Sequence, residues 1–358
     1  MLSYPGSPRH AAPRSRRDAA ARPWRDAWLE SAYGTGGHWR TSLPADHFRT
    51  AATSTSALAE LISAELRARP EIGIVVDLGA GDGTLLNQLA GQPGRLPVTP
   101  DRHPGLRLYG VDLRNRPDGL GEGISWCRDL WDVTADRWTS GEADRMLAAL
   151  DAPALVIAVE WLDDLPCVVA ERSSGVLREM DISWHGVERA GRRLTGEALE
   201  WADRWWPSGP RIEVGLSRDR AWSDAVAALR RHGGLALMID YGHLSGSRPH
   251  HGSLTGYAHG RQLDPQPDAS MNLTAHVAVD AVRWAGEQAG ARTVRQARLA
   301  EVVAHLPAVD TADPLAALAR RSERAALASG RVWGGQYWLL QRVSATPTTV
   351  RRRAAVVD

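Results

Sequence analysis

"VVDLGAGDGTLL", residues 75–86, carries an aliphatic run into three glycines, Gly79, Gly81 and Gly83, with Asp77 just ahead of them. The apolar stretch that leads in, bounded by Pro70, reads as a buried strand, and "GTLLNQLAG" reads as a helix ending near Gly91. A strand that ends in so bare a turn brings backbone close to a ligand. Outward from this unit the pattern repeats. "STSALAELISAELRARP" precedes it as a helix, with Ser54 or Thr55 as cap and Leu58, Leu61, Ile62 and Leu66 at helical spacing. "LRLYGVDLR" comes next as a strand closing on Asp112, then "ISWCRDLWD" as one closing on Asp129, and "DAPALVIAVEWLDDLP" as one ending in an acidic cluster at Glu160. "LALMIDYGH" ends on Asp240. Strands alternating with helices predict an α/β fold with a doubly wound, mostly parallel sheet, whose ligand sits at the strands' carboxyl ends. Asp77, Asp112, Asp129 and Glu160 all fall there.

The remaining segments fill in that plan. "CVVAERSSGVLREMDISW" reads as a hairpin turning at Ser173 to Gly175, and "EALEWADRWWP" as a helix packed on it, together an inserted cap over residues 167–210. Trp201, Trp205 and Trp206 there read as cap packing or as an aromatic surface. "DRAWSDAVAALRRHGG", "AHVAVDAVRWAGEQAG" and "PLAALARRSERAALAS" read as helices, and "RTVRQAR" and "GQYWLLQRV" as strands. Leu244 to Asn272 shows no periodicity and reads as a long functional loop, bounded at residues 243–275. The whole divides into a disordered tail (1–22), an N-terminal helical segment (23–70), one large domain (71–345) and a second tail (346–358).

Composition excludes several classes. The 358 residues carry a formal charge of +1, so nothing in bulk favours nucleic acid or a membrane surface. Every basic residue is Arg, which reads as a genome bias. Cys127 and Cys167 fit no metal or disulfide spacing and suit a reducing compartment. No apolar stretch approaches a membrane span, and the Arg-rich N-terminus lacks a secretory core, so a cytoplasmic location is expected. No His/Cys/Asp constellation has metal-ligand spacing.

The glycines decide the ligand. A dinucleotide fingerprint would place its third glycine at Thr84, whereas this loop runs D-x-G-x-G-x-G. That favours S-adenosylmethionine (SAM), which has no pyrophosphate to seat, over a nicotinamide cofactor. Asp112 is then the acid for the two ribose hydroxyls. Asp129 is the acceptor for the adenine amine, with the Leu130 amide beside it.

Several stretches resemble the MidA-like family of class I SAM-dependent methyltransferases, whose members include the mitochondrial complex I assembly methyltransferase that modifies a protein arginine. "HFRTAATSTSALAELI" keeps the family's Phe48, Thr50 and Ser54; "VVDLGAGDGTL" is its cofactor loop. "AVEWLDDLP" keeps Glu160, Asp163, Leu165 and Pro166; "MIDYGH" and "LTAHV" complete an ordered set covering most of residues 45–280. The chain departs at Val159, where the family has Asn, at Asn272, where it has an acid, and at Asp46-His47, where it has Gly-Asp. The resemblance implies a Rossmann-like class I methyltransferase fold, SAM as cofactor, and a cofactor site of Thr50, Asp77, Gly79, Gly81, Gly83, Asp112, Asp129 and Leu130.

Methyl transfer to a guanidinium requires a nitrogen that is oriented and can shed a proton; carboxylates in bidentate contact do both. Glu160 and Asp163 are the expected pair, with Asp240 and His243 completing the catalytic set and His276 a second histidine able to take a proton. The partners implied are a protein arginine or a small molecule, and a homodimer is left open. Two other readings stand beside protein-arginine methylation: a small-molecule O- or N-methyltransferase, and a SAM-binding assembly factor without turnover.

Overall fold

The computed structural model describes residues 21–41, 50–91, 105–309, 311–330 and 333–346. The expectations for nearly all of both tails and for Asp46, His47 and Phe48 lie outside them.

The described residues build a seven-stranded sheet. Its strands are β1 (Ile74–Leu78), β2 (Arg107–Asp112), β3 (Ile124–Arg128), β4 (Ala154–Val159), β5 (Gly234–Asp240), β6 (Ala291–Arg298) and β7 (Tyr337–Val343). They lie in the order β6-β7-β5-β4-β1-β2-β3. β1 pairs in parallel with both β2 and β4, so the chain reverses direction across the sheet at β1, the switch point where such sheets bind ligands. β7 runs antiparallel to β5 and β6.

Alternation along each strand sorts the core into two layers. Ile74, Val76, Val156, Ala158, Met238 and Leu339 face one side, where Ala143, Leu147, Trp222, Val226 and Val282 come from three helices. Val75, Leu155, Ile157, Leu237, Ile239 and Leu340 face the other, against Leu58, Ile62, Leu66, Leu86 and Leu327. A strand covered on both faces reads as an unbroken apolar run, which is why β1, β4 and β5 stand out in the sequence.

The hairpin expected within residues 167–184 is present, as strands Val168–Ser173 and Val176–Ile182. Ser174 and Gly175 both take positive φ, 48° and 78°, between the paired Ser173 and Val176, as a tight two-residue turn requires. It belongs to a larger antiparallel sheet with Arg22–Pro23, Glu188–Arg193 and Arg211–Val214. The short strands went unseen because Arg and Glu on half-exposed positions mask any alternation. Trp24 and Trp28 of the first helix (Trp24–Tyr33) pack beneath this sheet with Cys167 and Met180, so that helix joins the cap rather than the main core. Trp201 and Trp206 are buried in the cap, as the packing reading requires.

Three expectations are corrected. The stretch from Leu244 to Asn272 folds into a three-stranded sheet with its neighbours, Thr255–Ala258, Arg261–Leu263 and Asn272–Thr274; strands this short leave no periodic signature. Helices Glu142–Ala148 and Leu299–Val303 were not anticipated. The helix Ala57–Arg67 starts after Ser56, with the Thr55 hydroxyl accepting from the Ala57 amide at 3.0 Å.

One polar pair is sealed between the sheet and its helices. Trp222 Nε1 donates to Gln341 Oε1 at 2.7 Å, and Gln341 Nε2 donates to the Arg283 carbonyl at 2.9 Å. Both side chains are fully buried. Trp222→Phe strands the Gln341 oxygen and should lower unfolding stability by about 1–3 kcal/mol, read from urea denaturation; Trp222→Phe with Gln341→Leu should recover part of it.

Candidate functional site

A cavity of about 710 Å³ opens over the carboxyl ends of β1, β2, β4 and β5. The glycine loop forms its floor. Gly79, Gly81 and Gly83 have φ of 72°, 63° and 73°, so all three need the left-handed region that glycine tolerates. Their surroundings differ. A Cβ on Gly79 would lie 2.5 Å from Trp161 Cδ1, and one on Gly83 2.4 Å from Leu120 Cδ1. One on Gly81 would meet nothing nearer than Arg114 Nη2 at 3.7 Å. Two of the glycines therefore make room for the protein's own side chains, whereas Gly81 has open space where a side chain would stand; Gly79 and Gly81 both line the cavity.

The acids divide into structural and accessible groups. Asp77 is buried beside the loop, and burial with the neighbouring charges of Asp112 and Asp82 holds its carboxyl well above the usual range. Asp112 sits on the cavity wall, with Oδ2 accepting from the Gly81 amide at 2.9 Å and Oδ1 from the Arg114 amide at 2.9 Å and Arg114 Nε at 3.1 Å. Oδ2 thus keeps a lone pair for a sugar hydroxyl. Arg114, which the sequence reading passed over, lies against the same carboxylate.

Asp129 lines the cavity but is committed to its own turn. Oδ1 accepts from the Leu130 amide, the Thr139 hydroxyl and the Ser140 amide, each at 2.9 Å, and Oδ2 from the Ala143 amide at 3.0 Å. Burial opposes ionisation, yet the amides of Ser140, Ala143 and Leu130 outweigh it and hold the carboxyl below its ordinary range. Leu130, expected beside it, lines the cavity too, and its amide is the one that Asp129 holds. Thr50 also lines the cavity, and its hydroxyl accepts from the Thr53 amide at 3.1 Å, starting the turn Ala51–Ser54.

Glu160 and Asp163 stand in the cavity wall as expected. Glu160 adopts φ 49°, strained for a residue with a Cβ. Its Oε1 accepts from the Ala51 amide and from Gln336 Nε2, both at 2.9 Å. Burial pushes its carboxyl up to about 7, against the pull of those two donors. Asp163 is raised as well, through burial; its Oδ2 accepts from the Thr274 hydroxyl at 2.7 Å. Asp164 stands beside it, accepting from Asn272 Nδ2 at 3.1 Å, and is raised further by burial and by Asp163.

Asp240 and His243 are corrections. Asp240 is 0 % exposed and stands behind the wall, where Oδ2 accepts from the Leu162 amide at 3.0 Å and the Asp163 amide at 3.3 Å. It shapes the turn that presents Glu160 and Asp163. His243 points into the cap: Nδ1 accepts from Arg248 Nη1 at 2.6 Å, and the ring meets Trp206 edge-on at 4.8 Å. Burial, with Arg248 adding to it, pushes the imidazole down to about 2, so it is neutral and out of reach of the cavity. His276 is the histidine on the wall, stacked on Tyr241 at 6.0 Å. Burial lowers its basicity.

The sequence reading missed Tyr33, Trp161, Asp164 and Tyr257 on the wall. Asp164 was visible as the second acid of "DDLP"; Tyr33 and Tyr257 lie far away in sequence and carried no signal. Among the described residues no group of His, Cys, Asp and Glu is placed to hold a metal ion, and no helix is long and apolar enough to cross a membrane.

Residues 112–297, slightly more than half of the chain, match a family described as "Putative S-adenosyl-L-methionine-dependent methyltransferase". A "likely methyl transferase" from Burkholderia thailandensis, bound to S-adenosyl-homocysteine (SAH), shares the fold with a TM-score of 0.66 at 19% identity, over 92% of this chain and 89% of its own. An uncharacterized protein from the same organism gives 0.64 at 20% identity, over 92% and 88%. The comparison with curated proteins found no match.

Two outcomes are expected from the geometry. Gly79→Ala forces both a strained φ and a clash with Trp161, and should lower stability by about 1–3 kcal/mol in thermal or urea unfolding, more than the same change at an exposed glycine. Glu160 ionises at 4.5 in an unfolded chain and at about 7 here, so the folded form holds more protons across that window. Stability therefore falls as pH rises through it and levels off above. Glu160→Gln should remove that part of the slope, on the order of 2 kcal/mol after solvent access discounts the full shift, measured as urea midpoints against pH.

Proposed function

The chain belongs to the MidA-like family of SAM-dependent methyltransferases, and we propose that it transfers the methyl group to the guanidinium of a protein arginine. One observation carries the choice of acceptor. Three carboxyl side chains, those of Glu160, Asp163 and Asp164, line one half of the cavity together with Asn272. So acid-rich a wall suits a cation that brings several N–H donors. A guanidinium brings five in a plane.

Gly81, open to the cavity, and Asp112, with a lone pair left on Oδ2, fit an adenosyl group, and we assign them to it together with Thr50, which also lines the cavity; Asp77, expected in the cofactor site, is buried off the wall and supports the loop instead. Gly79 and Gly83 support the loop by admitting Trp161 and Leu120, and Asp129 by fixing the adjoining turn. When bound, SAM supplies an electrophilic methyl group carried on a sulfonium. The protein's part is orientation and proton handling. Glu160 and Asp163 take N–H bonds from the guanidinium and draw its positive charge toward the nitrogens that do not react. The reacting nitrogen must lose a proton as its new bond forms, and Glu160, poised near neutrality, is the group placed to hold it. Trp161 and Tyr241 exclude water from the acceptor. A cytoplasmic location fits this reading, since the two cysteines are buried and free.

The test is transfer of labelled methyl from SAM to an arginine-containing peptide, with amino-acid analysis of the product. Label found in methylarginine supports the proposal; label confined to a small-molecule extract of the cell overturns it. Glu160→Gln should lower kcat by about a hundredfold while SAH still raises the melting temperature. In the parent enzyme kcat/KM should climb with pH through about 7, the range in which Glu160 ionises.

A further inference from the structure

The acceptor half of the cavity is stitched together by a side chain that takes no part in the methyl transfer itself. Arg218, in the first turn of helix Leu216–Ala227, is 2 % exposed. Its Nη2 donates to the Asp163 carbonyl at 2.8 Å and its Nε to the Leu165 carbonyl at 2.9 Å. Its Nη1 donates to the Ala275 carbonyl at 2.8 Å and, at 3.4 Å, to that of His276. The guanidinium also lies over Trp28 at 5.6 Å from the ring centre.

A buried guanidinium normally faces a carboxylate. Here the hydrogen bonds go to main-chain carbonyls of two segments distant in sequence, the turn after β4 and the strand end before His276. The Asp163 carboxyl receives no bond from it: one oxygen accepts from the Thr274 hydroxyl, and the group also meets the Asp240 carboxyl. Arg218 therefore places a positive charge inside an acidic cluster without occupying the oxygens that a cationic ligand needs.

We propose that Arg218 is the positioning residue of the acceptor pocket, holding its two walls in register through their carbonyls and supplying the counter-charge that keeps Asp163 and its neighbours available to a guanidinium. The inference rests on this half of the cavity being the acceptor site. Burial raises Asp163, Asp164 and Asp240, and the charge of Arg218 pulls each of them back. The groups that face Asp163 are Glu160 and Asp164 on its own turn, Asp240 at the end of β5, His276 on the second wall and Arg218 itself. Tyr33 from the first helix and Tyr241 and Tyr257 from the loops are neutral phenols raised by burial and by the same acids. On the helix of Arg218, Asp219 turns away to Trp201, whose Nε1 donates to it at 2.6 Å.

The experiment uses the full chain with Arg218→Met and Arg218→Lys. Each is titrated with SAH, assayed with SAM and an arginine-containing peptide across pH, and followed by amide exchange at Ala275, whose N–H donates to the Asp163 carbonyl at 3.1 Å. Both variants should bind SAH within about twofold of the parent, because the contacts of Arg218 lie on the acceptor side. Arg218→Met should raise the peptide KM about tenfold and shift the midpoint of kcat/KM down by about half a pH unit, since Asp163 loses the charge that favours its ionised form and no longer raises Glu160. Arg218→Lys should raise KM yet keep the midpoint, because the charge stays and the forked bonds do not. Ala275 exchange should quicken about tenfold in both. An unmoved midpoint in Arg218→Met, unchanged exchange in either variant, or SAH affinity that falls in step with peptide KM overturns the proposal. Should Arg218→Met fail to fold, Arg218→Lys decides by KM and exchange. If the parent methylates no arginine peptide, the acceptor reading alone fails, and the SAH and exchange results still decide for or against the clamp.

Discussion

The site depends on one physical constraint: carboxyl groups crowded at the carboxyl ends of two adjacent buried strands. β4 and β5 are covered on both faces, so the turns that leave them emerge into a region of low dielectric. Glu160, Asp163, Asp164 and Asp240 cannot all ionise there, and burial lifts every one of them. The fold meets this by dividing the work. Asp240 accepts two backbone amides and becomes part of the turn, whereas Glu160, Asp163 and Asp164 line the cavity.

The same division runs through the cofactor side. An acid at a strand end can either build the loop or touch the ligand, and the hydrogen bonds decide which. Asp129 receives four donors from its own turn; Asp112 receives three, and its Oδ2 holds only the Gly81 amide. The glycines divide likewise. Gly79 and Gly83 give their space to Trp161 and Leu120, and Gly81 gives its space to the cavity. A glycine-rich loop is therefore as much a packing device as a binding one, and Trp161 links the two functions, since it lies on Gly79, stacks on Trp138 at 5.8 Å and comes directly after Glu160.

The cap contributes from a distance. Its sheet carries the first helix, whose Tyr33 hydroxyl donates to the Asp164 carbonyl at 3.1 Å, so residues more than a hundred positions apart share one wall. Glu213 on the cap strand Arg211–Val214 accepts from the Ser253 amide and hydroxyl at 2.6 Å, and the Ser253 hydroxyl accepts from the His276 amide at 2.8 Å. Ser253 is thus pinned at once to the cap and to the segment that puts His276 on the cavity wall.

The sequence by itself determined everything that local pattern controls: the strand-turn-helix of residues 74–89, the two-sided apolar runs of β4 and β5, the tight turn at Ser174-Gly175, and the placing of Glu160 and Asp163 at a strand end. These come from periodicity and from glycine's access to positive φ, both legible over a dozen residues. Tertiary structure decided the rest, because hydrogen-bond partners are set by approach in space. No local feature told Asp240 from Asp163, both acids at the ends of buried strands, or His243 from His276, both in polar segments. The neighbours chose: two amides and complete burial for Asp240, and the Arg248 guanidinium with the Trp206 ring for His243. Sequence placed the acids at the edge of the sheet; only the packing of cap, loop and helix determined which of them line the cavity.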